Sequence, residues 1–91
     1  MMGLLFTVLC EFQGGTYVSQ AQAADEFDAV RKWAALSAER LPDGCDWSAL
    51  RALAATAEEP PVALQGLVGV WCWASNVNGM LALLHVVRTT E

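Results

Sequence analysis

The sequence predicts a two-layer α+β domain of order ββααββ, with two β-hairpins forming a four-stranded, mostly antiparallel sheet and two helices on one face. Three observations carry this expectation. Residues 4–23 alternate between apolar and polar around Gln13-Gly14-Gly15, residues 68–89 are apolar around Asn78-Gly79, and between them apolar side chains recur at helical spacing behind acidic residues. At 91 residues the chain is expected to make one domain, 1–91, around a single core.

In the first hairpin a two-residue turn at Gly14-Gly15 sets Phe12 opposite Tyr17, Cys10 opposite Ser19 and Val8 opposite Ala21. Side chains alternate across a strand, so one face carries Phe6, Val8, Cys10, Phe12 and Tyr17. The other carries Thr7, Glu11, Gln20 and Gln22 with Leu9 and Val18, the pattern of a half-buried sheet.

Asp25 begins a helix expected over 26–40, because its carboxylate can accept the free amides of the first turn, and Glu26 and Asp28 suit the positive helix end. Phe27, Val30, Ala34 and Leu41, with Trp33 beside them, form the stripe that faces the hairpin. Leu41-Pro42-Asp43-Gly44 ends it. An alanine-rich helix over 47–57 follows Asp46 as its cap and stops at Glu58-Glu59-Pro60-Pro61.

An extended stretch over 61–67 leads into the second hairpin, with strands 68–77 and 80–89 joined at Asn78-Gly79. That turn sets Trp73 opposite Leu84, Trp71 opposite Val86 and Cys72 opposite His85. One face holds Trp71, Trp73, Ser75, Val77, Met80, Ala82, Leu84, Val86 and Arg88. The other holds Val68, Val70, Cys72, Ala74, Asn76, Leu81, Leu83, His85 and Val87. Both faces are apolar, and a single helical layer covers only one. Because the second face can fill the space beneath small, alanine-rich helices, the tryptophan face is expected to point outward. Trp71, Trp73, Val77, Met80, Leu84 and Val86 are then the interface or ligand residues, tryptophan being enriched at binding hot spots. How the two hairpins adjoin is not encoded in these patterns.

Ten acidic and five basic residues give a net charge of −5. The basic residues Arg31, Lys32, Arg40, Arg51 and Arg88 form no run, which excludes binding to a nucleic-acid phosphate backbone. Only 16% of residues are charged, and none lies within 60–87. That uncharged stretch is long enough to cross a membrane, for which ~20 residues suffice, but Gln65, Gly66, Asn76, Asn78 and Gly79 break it and favour the hairpin. No basic segment precedes the apolar run at 3–10 and no small-residue cleavage site closely follows it, so a cytoplasmic protein is expected.

His85 is the one histidine, it sits between Leu84 and Val86, and no nucleophile turn accompanies it. Cys10, Cys45, Cys72 and His85 make a zinc-compatible set of residue types without the short spacings of structural zinc sites. The odd number of cysteines fits a reducing compartment. Asp25, Glu26 and Asp28 read as helix capping rather than as a metal or acid–base cluster. The glycine turn is too short to cradle a phosphate and joins two strands. No enzyme activity, cofactor or metal is therefore expected.

Residues 6–29, a strand, Gly14-Gly15, Tyr17-Val18 and an acidic-capped helix, resemble the start of HicB-type antitoxins over about a quarter of the chain. Those proteins place a third strand, often with a Pro-Asp-Leu-Pro-Gly-like turn, before the helix, and this sequence does not. Three functions are weighed. The first is a non-enzymatic interaction module, a homodimer formed through the apolar C-terminal hairpin. The second is a small-molecule-binding domain whose pocket is floored by Trp71, Trp73, Met80 and Tyr17. The third is an acidic antitoxin or immunity-type protein that neutralises a basic partner.

Overall fold

Two tight turns organise the sheet. In the computed structural model, which describes residues 3–35 and 47–89, Gln13 and Gly14 have φ of 53° and 81°, and Asn78 and Gly79 have 54° and 84°. Positive φ at both central residues is the two-residue turn whose twist matches that of paired strands. The first turn joins β1 (Leu4–Phe12) to β2 (Gly15–Ala23), and the second joins β4 (Val70–Val77) to β5 (Met80–Thr89).

The second hairpin has the expected register, with Trp71 opposite Val86, Cys72 opposite His85 and Trp73 opposite Leu84. The first differs. Its turn is Gln13-Gly14, so Phe12 lies opposite Gly15, Cys10 opposite Tyr17 and Val8 opposite Ser19. Gly15 is thereby a strand residue, and the Tyr17 ring occupies the space a side chain at position 15 would need. The slip amounts to two residues, which preserves every side chain's face. Phe6, Val8, Cys10 and Phe12 are buried as expected, and Tyr17 packs at the margin of the core.

The extended stretch contributes a strand of its own. β3 (Val62–Ala63) pairs antiparallel with β4, Val62 opposite Cys72 and Ala63 opposite Trp71. The expected four-stranded ββααββ arrangement is thus corrected to a five-stranded antiparallel sheet of order β2-β1-β5-β4-β3, with two helices between the hairpins. The hairpins join through β1 and β5, with Val8 opposite Val86 and Cys10 opposite Leu84.

α1 (Glu26–Ala34) starts at Asp25, whose Oδ1 accepts from the Asp28 amide at 2.8 Å, while Asp28 Oδ2 accepts from the Ala24 amide at 2.9 Å. Ala35 caps it, its amide bonding back to the Lys32 carbonyl at 3.1 Å in a tightened last turn, and residues 36–40 of the expected helix lie outside the described residues. α2 (Trp47–Ala55) is close to its expected extent. Leu41-Pro42-Asp43-Gly44, Cys45 and the cap at Asp46 lie outside the described residues. α1 crosses β2, β1 and β5, and α2 lies beside it over β4. Arg51 Nε donates to the Ala34 carbonyl at 2.9 Å and Arg31 Nη2 to the Ala57 carbonyl at 3.3 Å, tying the helices together.

The core lies between helices and sheet. Ala29, Val30, Trp33 and Ala34 of α1, with Leu50 and Ala54 of α2 and Ala57 just beyond it, close over Phe6, Val8, Cys10, Trp73, Val77, Ala82, Leu84 and Val86. This overturns the outward placement of the tryptophan face. Val77, Leu84 and Val86 are buried, Trp73 is only 8% exposed, and Trp71 packs against the core with its ring 6.2 Å from that of Phe6, edge to face. Met80, at the turn end of β5, is 43% exposed. The reason is the β1–β5 pairing: neighbouring strands share a face, so the side of β5 carrying Leu84 and Val86 must join the phenylalanine side of β1. The small side chains of α2 leave room for Trp73 rather than excluding it, large against small. Among the described residues no helix is long and apolar enough to cross a membrane.

Candidate functional site

With the tryptophans inside, the surface that remains is the other side of the sheet. Its residues come from all five strands. The middle row runs Val18, Leu9, His85, Cys72 and Val62 across β2, β1, β5, β4 and β3. Rows on either side bring Leu83 and Ala74 next to Glu11, and Val87 and Val70 next to Thr7. Val18, Leu81 and Val62 are 62%, 61% and 69% exposed. Leu5, Leu9, Leu83, Val70 and Val87 are half-buried, and both helices among the described residues lie on the opposite side of the sheet.

Polar residues line the β2 edge, with Thr16, Gln20 and Gln22, and stand at Asn76 on β4, and two polar groups interact across strands. At one end Gln20 Nε2 donates to Thr7 Oγ1 at 3.0 Å, and Thr7 shares a second hydrogen bond with the Thr89 hydroxyl. At the centre His85 Nε2 lies 3.5 Å from Glu11 Oε2. Glu11 is the one carboxylate among the described residues of this face. Asp25, Glu26, Asp28, Glu58 and Glu59 belong to the helix termini and the loops beside them.

Cys72, His85 and Glu11 stand on neighbouring strands at the centre of this face. Burial, and then the negative charge of Glu11, push the Cys72 thiol above its ordinary range. An activated cysteine requires the opposite shift, toward thiolate. Among the described residues no three His, Cys, Asp or Glu side chains are placed to hold a metal ion.

An aromatic pocket does not form from the residues expected to line one. Tyr17 stands on β2 and Trp71 and Trp73 on β4, with β1 and β5 between them, a separation of about 14 Å at the usual strand spacing. Surface clefts lie elsewhere: beside Leu4, Ala23, Asp28 and Lys32, around the first turn with Glu11, Leu81 and Leu83, and between Leu53, Glu58, Glu59 and Trp73. Of the six expected site residues, Trp73 alone borders one of these clefts, and only Met80 is substantially exposed. Leu9, Leu83 and Val87 were not singled out by sequence reasoning. The signal that points to them is comparative size, since two tryptophans outweigh any aliphatic set in the area they remove from water.

No protein-family model, curated protein or solved structure matches the chain. α1 follows β2 directly, without the third strand that the likeness to HicB-type antitoxins would require.

Proposed function

We propose that the protein is a non-enzymatic interaction module that forms a homodimer by packing the open faces of two sheets together. It keeps the C-terminal hairpin as the association element and moves the contact to the opposite side of β4 and β5. The observation that carries this reading is a sheet face that is aliphatic across much of β1, β5 and β4 and bears one carboxylate among its described residues, on a chain of net charge −5. Interface centres are depleted of charge in this way, and two copies meeting here keep the helix-side carboxylates apart. Strands spaced ~4.8 Å and rising ~3.3 Å per residue give the face on the order of 600 Å², near the ~800 Å² that each partner contributes to a stable dimer. A second copy fits because the same face is present on each molecule, and two-fold pairing is the commonest closed arrangement. A basic protein partner would meet the helix side instead, where Glu26, Glu58 and Glu59 lie.

Sedimentation of the wild type and of Leu83→Lys tests this. The wild type is expected to dimerise at micromolar concentration. The variant should weaken association about thirtyfold or more, the effect of ~2 kcal/mol at a central anchor, with its circular dichroism unchanged. A wild type that stays monomeric at high micromolar concentration contradicts the reading.

A further inference from the structure

The two edges of the sheet are not alike. β3, at one edge, is two residues long and is preceded by Pro60-Pro61. Short edge strands and prolines are the usual devices that stop a sheet from adding strands. β2, at the other edge, has none of them. It is nine residues long, GTYVSQAQA, without a charge or a proline, and its pairing with β1 runs from Gly15 to Ala23 without a bulge.

The two-residue turn determines which backbone groups of β2 are unpaired. Phe12 and Gly15 flank the turn and exchange hydrogen bonds, so bonding pairs recur at Cys10–Tyr17, Val8–Ser19 and Phe6–Ala21. The amides and carbonyls of Thr16, Val18, Gln20 and Gln22 then point away from β1, toward the edge. All four residues are exposed.

We propose that β2 is an addition edge and that its occupant is the β2 strand of a second copy, paired antiparallel about Ser19. This register sets Thr16 opposite the partner's Gln22 and Val18 opposite the partner's Gln20, and satisfies the free amide and carbonyl of all four residues on both strands. Tyr17 meets the partner's Ala21, large against small, on the helix side. No charged side chain enters the contact, so the net charge of each copy does not oppose it at close range. The resulting sheet is continuous across the two-fold axis. The edge is distinct from the open face, and the inference stands apart from the face-to-face reading.

Amide hydrogen exchange resolved by residue, together with sedimentation, tests it. In the Leu83→Lys background, where the face contact is weakened, the self-association that remains at high micromolar concentration is expected to run through the β2 edge. The Val18 and Gln20 amides should exchange at least tenfold more slowly at high than at low micromolar concentration. Gln20→Pro in that background deletes one outward amide on an edge strand and should yield a monomer. If Leu83→Lys alone is monomeric and the Val18 and Gln20 amides exchange as freely as loop amides at every concentration, the edge proposal is overturned while the face reading stands. If Leu83→Lys leaves the wild-type dimer untouched and the edge amides are protected, the edge proposal holds and the face reading falls. Exchange in the Leu83→Lys protein decides the matter even where Gln20→Pro does not fold.

Discussion

Leu83 and Leu84 are the same residue type, adjacent on β5, and they serve opposite sides of one sheet. Leu84 is fully buried beneath the helices, with Cys10 and Trp73 on the strands beside it. Leu83 lies half-buried on the open face between Glu11 and Ala74. Val86 and Val87 repeat the contrast one turn of the pleat further on. A hairpin that is apolar on both sides thus spends one side on folding and leaves the other for association. Composition alone does not assign the sides. The neighbour on β1 does, because Phe6, Val8, Cys10 and Phe12 can be buried on one side only.

The contrast is sharpest when both leucines are cut back to alanine. Leu84→Ala is expected to cost ~2–5 kcal/mol of folding stability, the range for a cavity in a packed core. Leu83→Ala should cost no more than ~0.5–1 kcal/mol when measured below the concentration of dimerisation. Urea unfolding of the two variants checks this, and equal losses would break the distinction between the faces. Trp73→Ala belongs with Leu84→Ala, at ~3–5 kcal/mol, and should unfold the protein more easily rather than dissociate it.

A smaller effect probes the layer that makes the inner face inner. Asp25→Ala removes the acceptor of the Asp28 amide at the start of α1 and should lower stability by ~1 kcal/mol. The urea midpoint reads this, and the open face should associate as before. The smallest effect comes from the open face itself. The Cys72 thiol is pushed up in the folded protein, so the folded state holds its proton to higher pH than the unfolded chain does. That contribution is complete below the ordinary thiol range and is lost as pH rises through the raised value. Between pH 7 and 10 the urea midpoint of the wild type is expected to fall slightly more than that of Cys72→Ser, and an identical fall in both would show that the shift carries no stability.

Much of this architecture was legible in the residues. Asn78-Gly79 determined the register of the second hairpin because both residues readily take positive φ, and Asp25 marked the first helix by its capping chemistry. The first turn was less legible. Gln13-Gly14-Gly15 offers two choices of turn, and the one adopted places a glutamine at positive φ in exchange for a side-chain-free strand position under Tyr17. The slip it introduces leaves the faces intact, so the core of β1 was read correctly through the wrong pairs. The β1–β5 contact joins residues some eighty positions apart and leaves no local mark, and β3 is too short to show a period. The same missing contact misplaced the candidate site: without knowing which side of β5 faces Val8, the larger residues were assigned outward.

The most direct test of association through the open face is the methyl nuclear magnetic resonance spectrum of the wild type, followed from millimolar to low micromolar concentration. The Leu9, Leu83 and Val87 methyl signals are expected to shift together on dilution, along one binding curve, while those of Leu84, Val86 and Leu50 stay in place. Shifts confined to Leu53 and other helix-side methyls, or a spectrum that does not change with concentration, would contradict the assignment of the open face as the surface where two copies meet.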